Sequence, residues 1–175
     1  MPKDWNLLVI KRKECGEEEL LKELEDEGEF EVCGEGVLFG KVDDVTEFLE
    51  DAEKLRCVSK AVPLESVFTT SGDLISVVKK HIAKHIDEIE PEETLCVCVE
   101  TRGNVKISSR IVEREVTAYL QRLVEQVLGR KPKIDRRNPD KMFSIYIVGD
   151  KCGICFLTRE MREKYKLTLL AAGSL

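Results

Sequence analysis

The segment 142–157, MFSIYIVGDKCGICFL, contains the pattern that decides the fold of this chain. Two apolar runs, 142–148 and 152–157, are separated by a short connection that includes Gly149 and Asp150. A Gly-Asp pair between apolar runs is typical of the tight turn of a β-hairpin. The segment therefore predicts two adjacent antiparallel strands in the C-terminal part of the chain.

A long amphipathic helix precedes the hairpin. Ser108 or Ser109 caps its start, and Gly129 follows Leu128 at its end. Serine is favoured at a helix start because its hydroxyl accepts a hydrogen bond from a free backbone N–H, and glycine is favoured just past a helix end. The side chains predicted to face inward are Val112, Val116, Leu120, Leu123 and Val127.

The remaining elements of the second half are shorter. Residues 71–73, Ser-Gly-Asp, form a capping signal ahead of a helix that Pro91 ends. The apolar run 94–100 predicts a strand. We further expect a short strand over residues 133–135 and a C-terminal helix over residues 159–170.

The first 65 residues follow a different order. Four short apolar runs and two helical patterns alternate as βαββαβ, which is the order of a ferredoxin-like domain. The predicted strands are 5–11, 30–33, 37–40 and 56–62, and the predicted helices are 17–27 and 43–55. The fold class is therefore α+β, with an N-terminal ferredoxin-like domain at residues 1–65 and an α/β domain at residues 66–175.

Composition and termini restrict the class of protein. The 175 residues are 42% hydrophobic and 35% charged, which is typical of a globular chain. No apolar run approaches the roughly 18 residues that a membrane span needs. The segment 1–5 carries an acid where a signal peptide would need basic residues before an apolar stretch. We therefore expect a cytoplasmic protein with no membrane partner.

The net charge of −6 hides two opposite halves. Residues 1–100 contain 12 Lys and Arg against 26 Asp and Glu, a balance of −14. Residues 101–175 contain 16 Lys and Arg against 8 Asp and Glu, a balance of +8. Because affinity for phosphate depends on the local field, the second half is suited to a polyanion despite the acidic total. The alternative is that these charges are simply solvated surface.

The seven cysteines lie mostly within apolar runs, so we expect reduced, buried thiols. Two short spacings, Cys96-x-Cys98 and Cys152-x-x-Cys155, are compatible with zinc ligands. A strand, however, places Cys96 and Cys98 on one face and Cys152 and Cys155 on opposite faces. We expect structural thiols and no metal site, and a small thiol or zinc protein is the least favoured alternative.

The only two histidines, His81 and His85, are four residues apart in a predicted helix. This spacing can bind a metal, but the metalloprotease pattern needs a Glu directly after the first His, where Ile82 stands. Lys79, Lys80 and Lys84 surround the pair and disfavour a cation. The pattern is interpreted as two histidines on a helix surface.

A set of basic residues surrounds the long helix. Arg110, Arg114 and Arg122 recur in steps of four and eight, so they lie along one ridge. The backbone N–H groups at the helix start and the planar guanidinium of Arg both suit phosphate oxygens. Glu113, Glu115 and Glu125 lie on the same helix and are able to neutralise the arginines instead, so phosphate binding is only slightly favoured here.

No catalytic motif is present. The sequence lacks a Walker loop, a GxGxxG segment after a strand and a nucleophile elbow. No Ser or Cys has an obvious His partner at the end of a strand. We therefore predict that the protein is not an enzyme, has no catalytic residues and requires no cofactor.

Residues 66–175 resemble a known family. Residues 134–140, IDRRNPD, followed by 145–150, IYIVGD, and 155–157, CFL, resemble the closing strands of a THUMP domain. The upstream segment 97–102, VCVETR, followed by Ser109-Arg110 at a helix start, fits the same domain. A ferredoxin-like domain ahead of THUMP is the usual arrangement in this family, so the resemblance covers the whole chain and labels residues 66–175 as the THUMP domain.

The resemblance implies that the two domains bind tRNA jointly, commonly at the acceptor stem and 3′ end. A catalytic domain, such as a methyltransferase or a 4-thiouridine synthetase, commonly follows in this family, whereas this chain stops at Leu175. The expected RNA-binding residues are Arg102, Lys106, Ser109, Arg110, Arg114, Lys131, Lys133, Arg136, Arg137, Lys141, Lys164 and Lys166.

The tail resembles a narrower group. Residues 162–167, REKYKL, are similar to the basic tail of the eukaryotic and archaeal tRNA acetyltransferase adaptors, which accompany an acetyl-CoA-dependent enzyme that makes N4-acetylcytidine. This resemblance implies a tRNA-binding adaptor subunit whose partners are tRNA and an RNA acetyltransferase. The alternative is the same module serving another modification enzyme, for thiolation or methylation.

Overall fold

The computed structural model describes residues 4–165. Residues 4–65 and residues 66–165 each contribute four strands. The strands are β1 (Leu7–Lys11), β2 (Glu29–Gly34), β3 (Val37–Lys41), β4 (Val58–Pro63), β5 (Ser66–Thr69), β6 (Leu95–Arg102), β7 (Lys141–Val148) and β8 (Lys151–Thr158). The α-helices are α1 (Glu17–Leu24), α2 (Val45–Asp51), α3 (Leu74–Lys84), α4 (Ser109–Leu128) and α5 (Arg159–Lys164).

The first sheet has the strand order β2-β3-β1-β4, and its paired neighbours are antiparallel. This is the ferredoxin-like order, in which the first and third strands pair at the centre. The N-terminal ferredoxin-like fold and the α+β class expected from the sequence are confirmed.

The second sheet has the order β5-β8-β7-β6. Strands β7 and β8 form the predicted hairpin, with Val148 opposite Lys151 and Gly149 in the left-handed conformation that its turn requires (φ 59°). Strands β6 and β7 are parallel, and α4 is the crossover between them. This crossover places the start of α4 at the end of the sheet where β6 terminates.

The two sheets and their helices form four layers. One face of the first sheet packs on α1 and α2, and one face of the second sheet packs on α3 and α4. The other two faces pack on each other, and this shared core contains Leu8, Phe39 and Val62 of the first sheet and Met142, Tyr146 and Leu157 of the second. The molecule is therefore a helix–sheet–sheet–helix sandwich. Within residues 4–165, no helix is both long and apolar enough to span a membrane.

The inward face of α4 differs from the prediction at its C-terminal end. The buried residues are Val112, Val116, Leu120 and Val124, whereas Val127 is 53% exposed and Leu123 is partly buried. The residues of α4 that contact the sheet recur every four positions as far as Val124. Leu123 and Val127 are rotated from Val124 by roughly 100° and 60° around the helix axis, and therefore lie outside this stripe.

Other elements of residues 66–165 also depart from the sequence expectation. Strand β5 was not predicted; its edge position in the sheet comes from pairing with β8. Helix α3 ends at Lys84, and a 3-10 turn over Ile86–Glu88 follows it, well before Pro91. Residues 133–135 form only an isolated bridge between Ile134 and Leu95. The predicted C-terminal helix is observed over Arg159–Lys164 only, because the backbone of Tyr165 is extended, and residues 166–170 of the prediction lie outside the described residues.

The expectation that all cysteines are reduced and buried is wrong. Cys15 and Cys57 form a disulfide with a Cα–Cα distance of 5.6 Å. Cys15 follows β1 and Cys57 precedes β4, and these two strands are antiparallel neighbours, so the two cysteines meet at the same end of the pair. Of the remaining five, Cys33 and Cys98 are only half-buried.

Candidate nucleic-acid interface

A groove of about 860 Å³ runs along the N-terminal half of α4. It lies between the exposed flank of this helix and the loop that connects α4 to β7. Its lining residues are Ser108, Arg110, Ile111, Glu113, Arg114, Thr117, Ala118, Gln121 and Arg136.

The helix start determines how the groove side chains are arranged. Ser108 is the N-cap, and its hydroxyl accepts a hydrogen bond from the Ile111 N–H at 3.4 Å. From this start, Arg110 and Arg114 follow one turn apart on the exposed side, because the stripe that begins at Val112 faces the core. The predicted cap and basic ridge are therefore present, with Arg122 beyond the lining of the groove.

The electrostatics of the groove favour an anion. The Arg136 guanidinium lies 2.8 Å from the Glu113 carboxylate, so this pair carries no net charge. Arg110 and Arg114 form no ion pair with any residue between 4 and 165, and both are exposed. The positive end of the 20-residue helix α4 adds to their field. The groove therefore has two uncompensated guanidinium groups beside a helix N-terminus, an arrangement that suits phosphate oxygens.

The segment 134–140, here called the Asn-Pro-Asp loop because it ends in Asn138-Pro139-Asp140, positions Arg136. The Asp135 carboxylate accepts hydrogen bonds from the backbone N–H of Arg137 at 2.9 Å and of Asn138 at 3.1 Å. These bonds lower the pKa of Asp135 and hold the loop in a tight turn. Asp140, at the other end, accepts from the Thr94 N–H at 2.8 Å. The segment that carries the family resemblance is thus an architectural loop, with Arg136 and Arg137 exposed upon it.

A second groove of about 670 Å³ lies between the two sheets, where Arg102 ends β6. Arg102 is 3.3 Å from Glu100, and Lys11 and Lys13 line the same groove from the first sheet. Sequence reasoning did not select these two lysines, although the basic run Lys11-Arg12-Lys13 directly after an apolar strand was a visible signal. Glu35 and Glu100 also line this groove, so its positive charge is largely offset.

The other expected RNA-binding residues lie at different places. Lys106 is exposed just before α4, and Ser109 is its first residue. Lys131 and Lys133 are exposed in the loop after α4. Lys164 on α5 is exposed, and its ammonium lies 3.6 Å from the carboxylate of Glu50 on α2. Lys166 lies outside the described residues.

Lys141 differs from the other expected RNA-binding residues because its ammonium is bound within the protein. Its ammonium donates to both carboxylate oxygens of Glu93, at 2.8 and 2.9 Å, and to the Glu88 carbonyl at 2.9 Å. Only 15% of its side chain is exposed. The Glu93 carboxylate therefore neutralises its charge, and Lys141 contributes little to the electrostatic field at the protein surface.

The four thiols considered as zinc ligands do not converge. Cys96 and Cys98 share the face of β6 that meets the first sheet, whereas Cys152 faces the helices and Cys155 faces the first sheet. The predicted orientations are thus confirmed. Burial raises the pKa of Cys152 to about 12 and also raises the pKa of Cys155, so both thiols stay protonated and unreactive at neutral pH.

The THUMP domain model matches residues 68–157, which is more than half of the chain. The chain therefore belongs to the THUMP domain family, whose defining module binds RNA. The matched segment begins within β5 and ends within β8, and it contains α4 and the groove. No curated protein sequence matches the chain.

Several solved structures share the fold. PH1313 from Pyrococcus horikoshii Ot3 is 12% identical with a TM-score of 0.64, over 86% of this chain and 53% of that one. A 4-thiouridine synthetase in complex with RNA and ATP is 15% identical with a TM-score of 0.60, over 89% and 41% of the two chains. TrmN from Thermus thermophilus is 20% identical with a TM-score of 0.60, over 88% and 45%. This chain therefore spans about half, or less, of the proteins that it matches.

Proposed function

We propose that this protein is a tRNA-binding adaptor, which holds tRNA by its acceptor stem and 3′ end and presents it to a separate modification enzyme. The observation that carries the proposal is the groove along α4, where Arg110 and Arg114 face solvent without a carboxylate partner among residues 4–165. Membership of the THUMP family supports RNA as the polyanion.

Recognition by this groove depends on shape and charge. Guanidinium groups and backbone N–H groups bind phosphates without reading base sequence. The base edges of an A-form helix are hidden in a deep, narrow groove, so proteins recognise such helices by their backbone geometry. The acidic first half of the chain repels polyanions elsewhere on the surface, which directs RNA to the basic half.

The partner that we propose is an RNA acetyltransferase that forms N4-acetylcytidine. The support is the resemblance of residues 162–167 to the tail of the adaptors of that enzyme. The alternative is a module that serves thiolation or methylation, and a fold shared with a 4-thiouridine synthetase bound to RNA favours it. A third function, that of a thiol or zinc enzyme, is disfavoured by the opposite orientations of Cys152 and Cys155.

The proposal is tested by a salt-titrated binding assay with intact tRNA, the same tRNA without its 3′ single strand, and duplex DNA. We expect intact tRNA to bind most tightly and trimming to weaken binding. In the triple variant Arg110→Ala, Arg114→Ala, Arg136→Ala we expect affinity to fall at least tenfold. The log–log salt slope should decrease by roughly one for each phosphate that the variant no longer neutralises.

The matched control removes three positive charges from exposed positions of the first half, with Lys22→Ala, Lys54→Ala and Arg56→Ala. If both triple variants lose affinity equally, only net charge matters and the groove is not the site. Unchanged affinity and slope in the folded groove variant would likewise remove it from the interface. Co-purification with candidate enzymes then distinguishes acetylation from thiolation or methylation.

A further inference from the structure

Three metal-ligating side chains meet beside the connection between the two sheets. His81 lies in the last turn of α3, His85 is the residue that caps the end of this helix, and Glu65 lies in the short link between β4 and β5. The Glu65 Oε2 atom is 3.3 Å from His81 Nε2 and 2.5 Å from His85 Nε2. One ligand atom from each residue falls within a mutual distance of 4.8 Å. The interpretation of the two histidines as surface residues is therefore wrong.

We propose that Glu65, His81 and His85 form a binding site for a first-row transition metal ion of the Zn²⁺ class. Two imidazole nitrogens and one carboxylate oxygen are the ligands that such ions prefer. The site lies apart from the α4 groove, and the proposal does not depend on RNA binding.

The His81 ring supplies an independent observation. This side chain is nine-tenths buried, and its Nε2 makes no hydrogen bond within residues 4–165, although it lies 3.3 Å from the Glu65 carboxylate. A buried polar atom without a hydrogen bond costs free energy, so such an atom needs a further partner. A metal ion between His81 and Glu65 would satisfy both.

The His85 ring has the orientation of a metal ligand. Its Nδ1 contacts the carboxylate of Glu88, and its Nε2 points at Glu65. In metal sites the second ring nitrogen of a histidine ligand commonly donates its N–H to a carboxylate, which leaves the first nitrogen free to bind the ion. Glu88 takes this supporting role, and the stacking of His85 on Phe156, with ring centroids 4.5 Å apart, fixes the plane of the ring.

The distances from Glu65 to the two histidines can be compared with those that a tetrahedral ion requires. With metal–ligand distances near 2.0–2.1 Å, two ligand atoms lie about 3.3 Å apart. The pair formed by His81 and Glu65 already has this separation, and His85 needs to withdraw from Glu65 by less than about 1 Å. Glu65 is 35% exposed on its side chain, so solvent reaches the site from the side of this residue.

The contacts of Glu65 leave one of its two carboxylate oxygens available to a metal ion. Its Oε1 accepts a hydrogen bond from the Phe156 N–H at 2.9 Å, which leaves Oε2 for the histidines. Lys79 points to the Tyr119 ring and Lys141 is held by Glu93, while Lys80 and Lys84 are exposed. The lysines that argued against a cation from sequence therefore do not occupy the site.

The test uses the full chain, cleared of metal with a chelator, titrated with Zn²⁺ and separately with Co²⁺. We expect one ion per chain, a visible Co²⁺ spectrum typical of four-coordinate geometry, and a higher unfolding temperature when metal is present. Glu65→Gln, His81→Ala and His85→Ala should each weaken Zn²⁺ binding at least 100-fold. Glu88→Gln should weaken it about tenfold, as expected for a supporting residue.

The matched control is Glu90→Gln, an exposed carboxylate near the same segment, which should leave binding unchanged. A wild-type chain that binds neither ion below millimolar concentration overturns the proposal. Binding that survives His81→Ala and Glu65→Gln also overturns it, because the ion must then be held elsewhere, for example by the half-buried thiols. Circular dichroism confirms that each variant is folded, and the partly exposed Glu65 keeps the test decisive if His81→Ala does not fold.

Discussion

Arg162 on α5 is only 2% exposed, although it carries a charge that is never removed at physiological pH. Its guanidinium donates to the carbonyl oxygen of Pro139, in the Asn-Pro-Asp loop, and to that of Thr158. This side chain joins the C-terminal helix to the loop that carries Arg136. A residue that the sequence presents as part of a basic tail therefore has a structural role.

We predict that Arg162→Ala lowers the free energy of unfolding by about 2–3 kcal/mol, because a buried carbonyl loses a charged donor and a cavity opens. Urea denaturation measures the change. The control is Arg122→Ala on the exposed face of α4, which should alter stability by less than about 0.5 kcal/mol. Equal effects of the two substitutions would show that Arg162 is not buried in solution.

The histidines show why some residue environments cannot be read from local sequence. His81 and His85 were expected on the surface because lysines flank them in the same helix. The groups that cover them are Glu65, Phe143 and Phe156, which come from other elements distant in sequence. Helical spacing correctly placed the two rings on one face, but only the tertiary arrangement determines what that face meets.

At the scale of elements, caps and hairpins were predicted well from local sequence, whereas an edge strand that depends on a distant partner was not. The caps Asp73, Ser108 and Gly129 were expected from sequence and are observed, because capping depends on a few adjacent residues. Strand β5 was missed because it is four residues long and is defined by its register with β8. The α4 groove was half predicted: its arginine ridge follows from spacing, whereas the position of Arg136 on the opposite wall depends on how the loop between α4 and β7 folds back beside the helix.

The disulfide ties the turn after β1 to the turn before β4, and it is directly testable. We predict five reactive thiols in the denatured, non-reduced chain and seven after reduction. Reduction should lower the free energy of unfolding by about 4 kcal/mol, because the bond closes a loop with a sequence separation of 42 residues. The thiol count is measured with a chromogenic disulfide reagent.

A matched variant separates this bond from the other thiols. Cys33→Ala removes a free, half-buried thiol, so the non-reduced count should fall by one while the effect of reduction on stability persists. Cys57→Ala should abolish that effect. Seven reactive thiols in the non-reduced wild type would contradict the pairing of Cys15 with Cys57.

At the scale of the whole molecule, the packing of the two sheets includes one ion pair. Lys60 on β4 is 4% exposed, and its ammonium lies 3.2 Å from the Glu100 carboxylate of β6 and 5.0 Å from the centroid of the Tyr146 ring. Burial lowers the pKa of Lys60, and Glu100 partly offsets this effect. Because an ion pair is directional, whereas the apolar contacts around it are not, the pair helps to specify how one sheet lies on the other.

The two partners should respond differently to substitution. Glu100→Gln leaves a buried ammonium without its counter-charge and should lower the free energy of unfolding by about 2 kcal/mol. Lys60→Met should change it by less than about 1 kcal/mol, because Met fills the same apolar space and Glu100 keeps Arg102 and solvent. The double variant should then resemble Lys60→Met alone. Urea denaturation of the four proteins gives the coupling energy, and strictly additive losses would mean that Lys60 and Glu100 do not interact across the sheets.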